Sequence, residues 1–189
     1  MMTADEFLPG DVLVLNDRRG GWFSSTQRLV TGMPFTHSAV FVGDVLGIPS
    51  VFEAREVATF YPVANYLGNP NVDYVVYRPV LAWAGEKGEA LRGTYTRFAA
   101  SIYGYFQLVW FLWRRFWEIF GVDMRNKKNH FPLGDICSEI VYRYLWALPQ
   151  TSETNAILSE WNDNTVHSGD INVICRRLPT MVKIGESYR

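Results

Sequence analysis

Short apolar runs of strand type occupy the chain up to Pro79, and helix-type segments follow. Gly10-Asp11 leads into Val12 to Leu15, a β-branched and aliphatic run that reads as a strand, and Trp22 to Val30 reads as a helix closed by Gly32 and Pro34. Between Thr36 and Val42 the pattern alternates, so that His37, Ala39 and Phe41 share one face of a strand and Ser38, Val40 and Val42 the other. Ser50 to Ala54 is expected beside it, across a turn containing Asp44, Gly47 and Pro49, and Val72 to Tyr77 is a further strand ended before Pro79.

Helix formers dominate from Glu86 to about Ile102, although Gly88 and Gly93 weaken the start. Arg125 to Asn129 is a polar, basic loop. Asp135 to Leu148 reads as a strong helix with Asp135 as N-cap after Pro132 and Gly134. The remainder holds a helix around Ala156 to Trp161, a stretch of unassigned type from Asp170 to Arg177, and a closing strand at Met181 to Ile184. Strands segregated from helices predict an α+β fold, a small antiparallel sheet packed against helices. With no repeat and no linker, residues 1–189 are expected to form one domain.

The segment between Ile102 and Val122 departs from this scheme, because 9 aromatic residues fall within it. Phe106, Trp110, Trp113, Trp117 and Phe120 are spaced four, three, four and three, which on a helix confines them to a stripe roughly 80° wide. Arg114, Arg115, Glu118 and Gln107 occupy the opposite arc. The stripe has three readings: a packed core or protomer contact, an interfacial helix with Arg114, Arg115, Arg125, Lys127 and Lys128 meeting anionic lipid, or an apolar wall beside a site. It is expected to be an aromatic-rich helical insertion at about 102–130.

Composition narrows the function classes. The chain has 189 residues, 48% hydrophobic and 20% charged, enough for a sizeable core. Its 18 Lys+Arg against 19 Asp+Glu leave no cationic surplus for a nucleic-acid backbone. The apolar run Leu108 to Trp113 is stopped by Arg114 and Arg115, well short of the ~20 residues a spanning helix requires. No secretory signal pattern is present at Met1 to Pro9, so a cytoplasmic location or delivery without a signal peptide is expected. Cys137 and Cys175 do not make a disulfide framework; the count leaves a single bridge open, and a reduced state is expected. No metal-ligand spacing and no phosphate-loop motif occurs, so neither metal nor cofactor is expected.

Cys137 is the first chemical candidate. Near the start of a helix, unpaired backbone N–H groups and the helix dipole favour an anion, which lowers a thiol's pKa from ~8.5. The alternative is a small buried hydrophobe, the commoner fate of a free cysteine. If the strand of His37 pairs with Ser50 to Ala54 so that His37 lies opposite Glu53, carboxylate and imidazole share one face of the sheet. A one-residue slip would send Glu53 to the other face. A strand His, an opposing Glu and a helix-start Cys are the parts of a thiol hydrolase. His130 and His167 are read as surface residues of polar loops.

Four segments carry a resemblance: Leu8-Pro9-Gly10-Asp11-Val12, Thr36-His37-Ser38-Ala39-Val40-Phe41-Val42-Gly43, Val51-Phe52-Glu53-Ala54, and Asp135-Ile136-Cys137-Ser138-Glu139-Ile140-Val141. From about Leu8 to Leu145 the chain resembles the circularly permuted NlpC and papain-like cysteine hydrolases, in which the histidine strand precedes the cysteine helix, and more distantly lecithin retinol acyltransferase. The resemblance implies a permuted papain-like fold with the nucleophile at a helix N-terminus. It implies Cys137 as nucleophile, His37 as general base and then acid, Glu53 as the group orienting His37, and Tyr103 as a helper of the Cys137 backbone N–H toward the oxyanion, a place Tyr105 could also fill. The expected activity is hydrolysis of an amide bond in a peptide or acyl-amide substrate, cell-wall stem peptides being the leading class. A lipid-directed thiol acyltransferase or lipase is the alternative enzyme, with peripheral membrane or protein contact through Phe106, Trp110, Trp113, Trp117 and Phe120. A non-catalytic binding or structural module is the alternative outside enzymes.

Overall fold

Six strands form a single antiparallel sheet in the order β4-β3-β2-β1-β5-β6 in the computed structural model. They are β1 (Val12–Asp17), β2 (His37–Val45), β3 (Ile48–Ala54), β4 (Ala58–Pro62), β5 (Val72–Pro79) and β6 (Met181–Ser187). The helices are α1 (Ala84–Phe98), α2 (Cys137–Ala147), α3 (Ser152–Leu158) and α4 (Ser168–Arg177). The structure describes residues 2–18, 25, 28–29, 32–55, 57–80, 84–99, 113–114, 116–124, 137–163 and 165–187. Sheet and helices together make the α+β class.

Alternation explains why β1 lies at the centre. Val12 and Val14 join Val40, Val75 and Tyr77 on the face that α1, α2 and α4 cover. Leu13 and Leu15 join Ala39, Phe41, Val51, Tyr74 and Val76 on the other face, which Phe7, Val63 and Tyr66 close. With both faces buried, such strands read as unbroken apolar runs.

Helix α2 is buried nearly all round, from Cys137 through Leu145 with only Arg143 partly open. Its apolar face, Ile140, Val141, Tyr144 and Leu145, accounts for the packing on the sheet. Tyr144 donates from its hydroxyl to the Gly10 carbonyl at 3.1 Å. Gly10 has φ of 96°, and a Cβ there would run into that hydroxyl, so the position admits only glycine. Beside it, Asp11 accepts from the Leu8 N–H at 2.9 Å and from Arg78 Nη2 at 2.7 Å. The Leu8-Pro9-Gly10-Asp11 segment is thus a brace between the sheet and the helix that begins with Cys137.

Several elements differ from the sequence reading. The turn between β2 and β3 is two residues, Leu46 (φ 53°) and Gly47 (φ 80°), and Pro49 lies inside β3. Pro49 is tolerated because β4 pairs with β3 only from Ser50 onward, leaving no ladder bond for it to make on that side. The edge strand β4 was not expected; of its residues only Ala58 is buried, so no buried period marks it. Helix α3 starts at Ser152, before the expected Ala156, because Thr151 accepts from the Thr154 N–H at 3.1 Å. Helix α4 replaces the unassigned stretch. The expected N-cap Asp135 and most of the expected helix at Trp22 to Val30 fall outside the described residues, although Arg28 and Leu29 are helical. Among the described residues, no helix is long and apolar enough to cross a membrane.

Candidate active site

The histidine and the carboxylate meet by a diagonal contact. Val40 pairs with Phe52 and Phe41 with Val51, two residues away from the register that would set His37 directly opposite Glu53. An offset of two preserves the faces of a strand, as an offset of one does not. Glu53 therefore remains on the His37 side, and its Oε2 lies 2.8 Å from His37 Nε2. With Nε2 so engaged, the ring nitrogen left for another partner is Nδ1.

Glu53 is wholly buried, and three side chains hold it. Besides His37, Arg55 donates from Nε to Oε1 at 2.7 Å, and Tyr66 donates from its hydroxyl to the same carboxylate. Arg55 also donates from Nη2 to the Tyr66 oxygen at 2.7 Å, and its guanidinium lies 5.0 Å from the Tyr61 ring centroid. Burial acts to raise the Glu53 pKa, but the charge and hydrogen bond of His37, followed by Arg55 and Tyr66, hold it below the ordinary glutamate value. Neither Arg55 nor Tyr66 was expected at the site. Arg55 had a signal, since it lies two residues beyond Glu53 and so on the same side of an extended chain. Tyr66 had none.

Cys137 is the first residue of α2, with its side chain in the apolar cluster of Phe52, Ala54, Ala58, Phe98, Met124 and Ile140. Burial pushes its thiol up, but the His37 charge and hydrogen bond, the Ser168 hydroxyl and the Ser38 backbone N–H outweigh it and leave the pKa lowered. His37 responds in the opposite direction: burial lowers its pKa, but the charges of Cys137 and Glu53 raise it to about 10. Each group thus favours the charged form of the other, imidazolium beside thiolate. Cys175 is equally buried, and burial pushes its thiol up with no opposing group among the described residues. Both cysteines are free.

The structure thus brings together Cys137, His37 and Glu53, while Tyr103 and Tyr105 lie outside the described residues. His130 does too. His167, read as a surface residue, is buried instead: it is the N-cap of α4, and its Nδ1 accepts from the Asp170 N–H at 3.2 Å. A histidine cap is outside the usual Ser, Thr, Asp and Asn set, which is why the start of α4 was missed.

The aromatic segment is helical at 113–114 and 116–119. Its polarity is the reverse of the expectation for Arg114, which was placed among the solvent or lipid contacts. Arg114 is buried and donates from Nη1 to Asp170 Oδ2 at 2.8 Å and to the Thr165 carbonyl at 2.7 Å, and from Nε to Glu118 at 2.6 Å. Two carboxylates and a carbonyl make that burial tolerable. Trp117 packs against the cluster that contains Cys137. Trp113, Phe116 and Phe120 remain exposed, with Phe116 edge-on to Phe120 at 5.1 Å. Phe106, Trp110, Arg115, Arg125, Lys127 and Lys128 are outside the described residues.

An imidazole held between a buried carboxylate and a thiol at a helix start can exchange a proton with that thiol. No protein-family model matches the chain, and comparison with curated proteins gives no match. Among solved structures the chain is similar to the crystal structure of the metalloprotein yiiX from Escherichia coli O157:H7, DUF1105, with 16% identity and a TM-score of 0.51 over 96% of this chain and 98% of that one. At that identity the likeness is one of fold. Among the described residues of this chain, no group of three or more His, Cys, Asp or Glu side chains is placed to hold a metal ion.

Proposed function

We propose that the protein is a cysteine hydrolase of amide bonds with a permuted papain-like arrangement, its histidine strand preceding its cysteine helix. The observation that carries this reading is the buried Glu53–His37 pair, 2.8 Å between carboxylate and ring, set beside a thiol at the first residue of α2. The Cys137 thiolate attacks the carbonyl carbon, and the His37 imidazolium protonates the departing amine, leaving a thioester. Water then gives a proton to His37 as its oxygen attacks the thioester, the C–S bond breaks toward sulfur, and the acid departs. Glu53 keeps the ring oriented and its charged form favoured. The resemblance adds Tyr103 beside the Cys137 backbone N–H toward the oxyanion, and makes cell-wall stem peptides the leading substrate class.

Iodoacetamide tests the nucleophile directly. Both cysteines are buried, and Cys175 lines a cavity with Asn172 and Met181, so sparing of Cys175 reads thiolate content rather than exposure. At about pH 6 mass spectrometry is expected to find Cys137 modified and Cys175 spared. Equal labelling, or none, would sink the reading. A Cys137 that reacts no faster than free cysteine would favour a non-catalytic module.

One observation favours a second reading, a lipid-directed acyltransferase or lipase: the same segment that packs Trp117 and Met124 against the Cys137 cluster exposes Trp113, Phe116 and Phe120. On that reading the monodisperse protein co-sediments with anionic vesicles, and Phe116→Asp with Phe120→Asp reduces the bound fraction at least about tenfold. Failure of the unaltered protein to sediment rejects it.

A further inference from the structure

Two helices begin at the Cys137 sulfur. One is α2 itself. The other is α4, whose first residue, Ser168, places its hydroxyl 3.7 Å from Cys137 Sγ and 3.5 Å from Ser38 Oγ. Ser168 and Ser38 are both buried, in a setting where a hydroxyl is costly unless hydrogen-bonded. The nearer serine in sequence, Ser138, is committed elsewhere and donates to the Val166 carbonyl at 2.7 Å.

The backbone around Ser168 is held from three sides. His167 and Asp170 cap each other, the Asp170 carboxylate accepting the His167 N–H at 3.1 Å while the His167 ring accepts the Asp170 N–H at 3.2 Å. Arg114 grips the same Asp170 carboxylate from the aromatic segment at 2.8 Å. Gly169 leaves no room for movement on the remaining side, because a Cβ there would lie 2.6 Å from Met33 Cγ. So much restraint on one turn of helix fixes the position of one hydroxyl.

Resting on the reading of Cys137 as the nucleophile, we infer that Ser168 is a further catalytic residue whose hydroxyl donates to the Cys137 sulfur as thiolate, turning to it from Ser38 Oγ, the acceptor it otherwise faces. A hydroxyl has one proton to give. It gives that proton's hydrogen bond to the sulfur when the sulfur is charged. The same bond serves the second half of the cycle: water adds to the thioester, the C–S bond breaks, the electron pair returns to sulfur, and the Ser168 hydroxyl receives the developing charge. His167, Asp170 and Arg114 are positioning residues that act through Ser168.

Among the described residues the charge that acts on the sulfur is that of His37 from β2, with Glu53 behind it, and the turn that carries Ser168 adds His167 and Asp170, the latter bound by Arg114. His37 sets most of the thiolate's stability and Ser168 adds to it. The test is the rate of Cys137 alkylation by iodoacetamide as a function of pH in the full chain, for the unaltered protein, Ser168→Ala and Ser168→Thr. Ser168→Ala is expected to move the acid limb up by about one pH unit, about tenfold slower reaction on that limb, with the alkaline plateau unchanged. Ser168→Thr keeps the hydroxyl and is expected to return the limb to its original place. A role in packing alone lowers the melting temperature without moving the limb, and coincident limbs for the unaltered protein and Ser168→Ala overturn the assignment. If Ser168→Ala does not fold, Ser168→Gly is read in the same assay, where the same upward displacement supports the assignment and an unmoved limb overturns it. An unaltered protein whose Cys137 titrates like free cysteine removes the nucleophile itself, and this assignment with it.

Discussion

Replacing His37 by Ala is expected to slow the alkylation of Cys137 at about pH 6 by at least about 100-fold and to leave Cys175 unchanged, because removing one partner of a buried charge pair costs ~3–5 kcal/mol. In the unaltered protein His37 carries its proton up to about 10, and that charge is the main force lowering the Cys137 pKa against burial. Without it only the Ser168 hydroxyl and the Ser38 N–H oppose burial, and the thiol moves toward the behaviour of Cys175, which burial pushes up unopposed. The alkylation rate of the unaltered protein is expected to be flat from the lowered Cys137 value upward, and that of His37→Ala to rise only in alkali. Acyl transfer separates from alkylation at the other end of the range. Above about 10 the thiolate persists but His37 has lost the proton that the leaving amine needs, so turnover falls while alkylation does not. Superimposable alkylation profiles for His37→Ala and the unaltered protein would remove His37 from the site. Glu53→Gln is expected to fall between the two, since the ring keeps a hydrogen-bond partner but loses the adjacent charge.

What was legible in advance follows from the period of each element. The strands β1, β2, β3 and β5 announced themselves because both their faces are buried over a run of at least four residues, which constrains every position in that run. The meeting of His37 with Glu53 survived a register error of two residues because side chains on a strand repeat every two. The edge strand β4 has no such constraint, and its half-exposed residues left no pattern. The clamp on Glu53 was half legible: Arg55 follows from alternation, whereas Tyr66 arrives from the turn after Val63–Asn65 through chain folding alone. Ser168 was invisible for the same reason, being 31 residues from the sulfur it touches and behind an unusual cap. Helical spacing located the aromatic stripe but not its orientation, because the choice of inward face depends on a carboxylate 56 residues further along the chain.

That carboxylate sets the second large effect. Arg114→Met is expected to destabilise the protein by ~3–5 kcal/mol, lowering the melting temperature by about 10 °C, because it leaves Asp170 buried without the guanidinium that is bound to its carboxylate. Burial raises the Asp170 pKa, while the charges of His167 and Arg114 and the hydrogen bonds they make hold it below the ordinary aspartate value. A carboxyl depressed in this way adds stability above its unfolded value of ~3.9, and that contribution disappears as pH falls through the lower folded value. The difference between Arg114→Met and the unaltered protein is therefore expected to be full at neutral pH and to shrink below about pH 4. Asp170→Asn on top of Arg114→Met keeps an acceptor for the His167 N–H but removes the stranded charge, and is expected to restore part of the loss, a coupling that two independent sites would not show. A melting temperature unchanged by Arg114→Met would mean that the aromatic segment is not held by this pair. If it is held, Arg114 faces inward together with Trp117, bracing the turn that presents Ser168 to Cys137, while Trp113, Phe116 and Phe120 are left open to solvent. The exposed rings and the buried cation are then two consequences of one ion pair, and a substitution that releases Arg114 is expected to alter the reactivity of Cys137 as well as the stability of the fold.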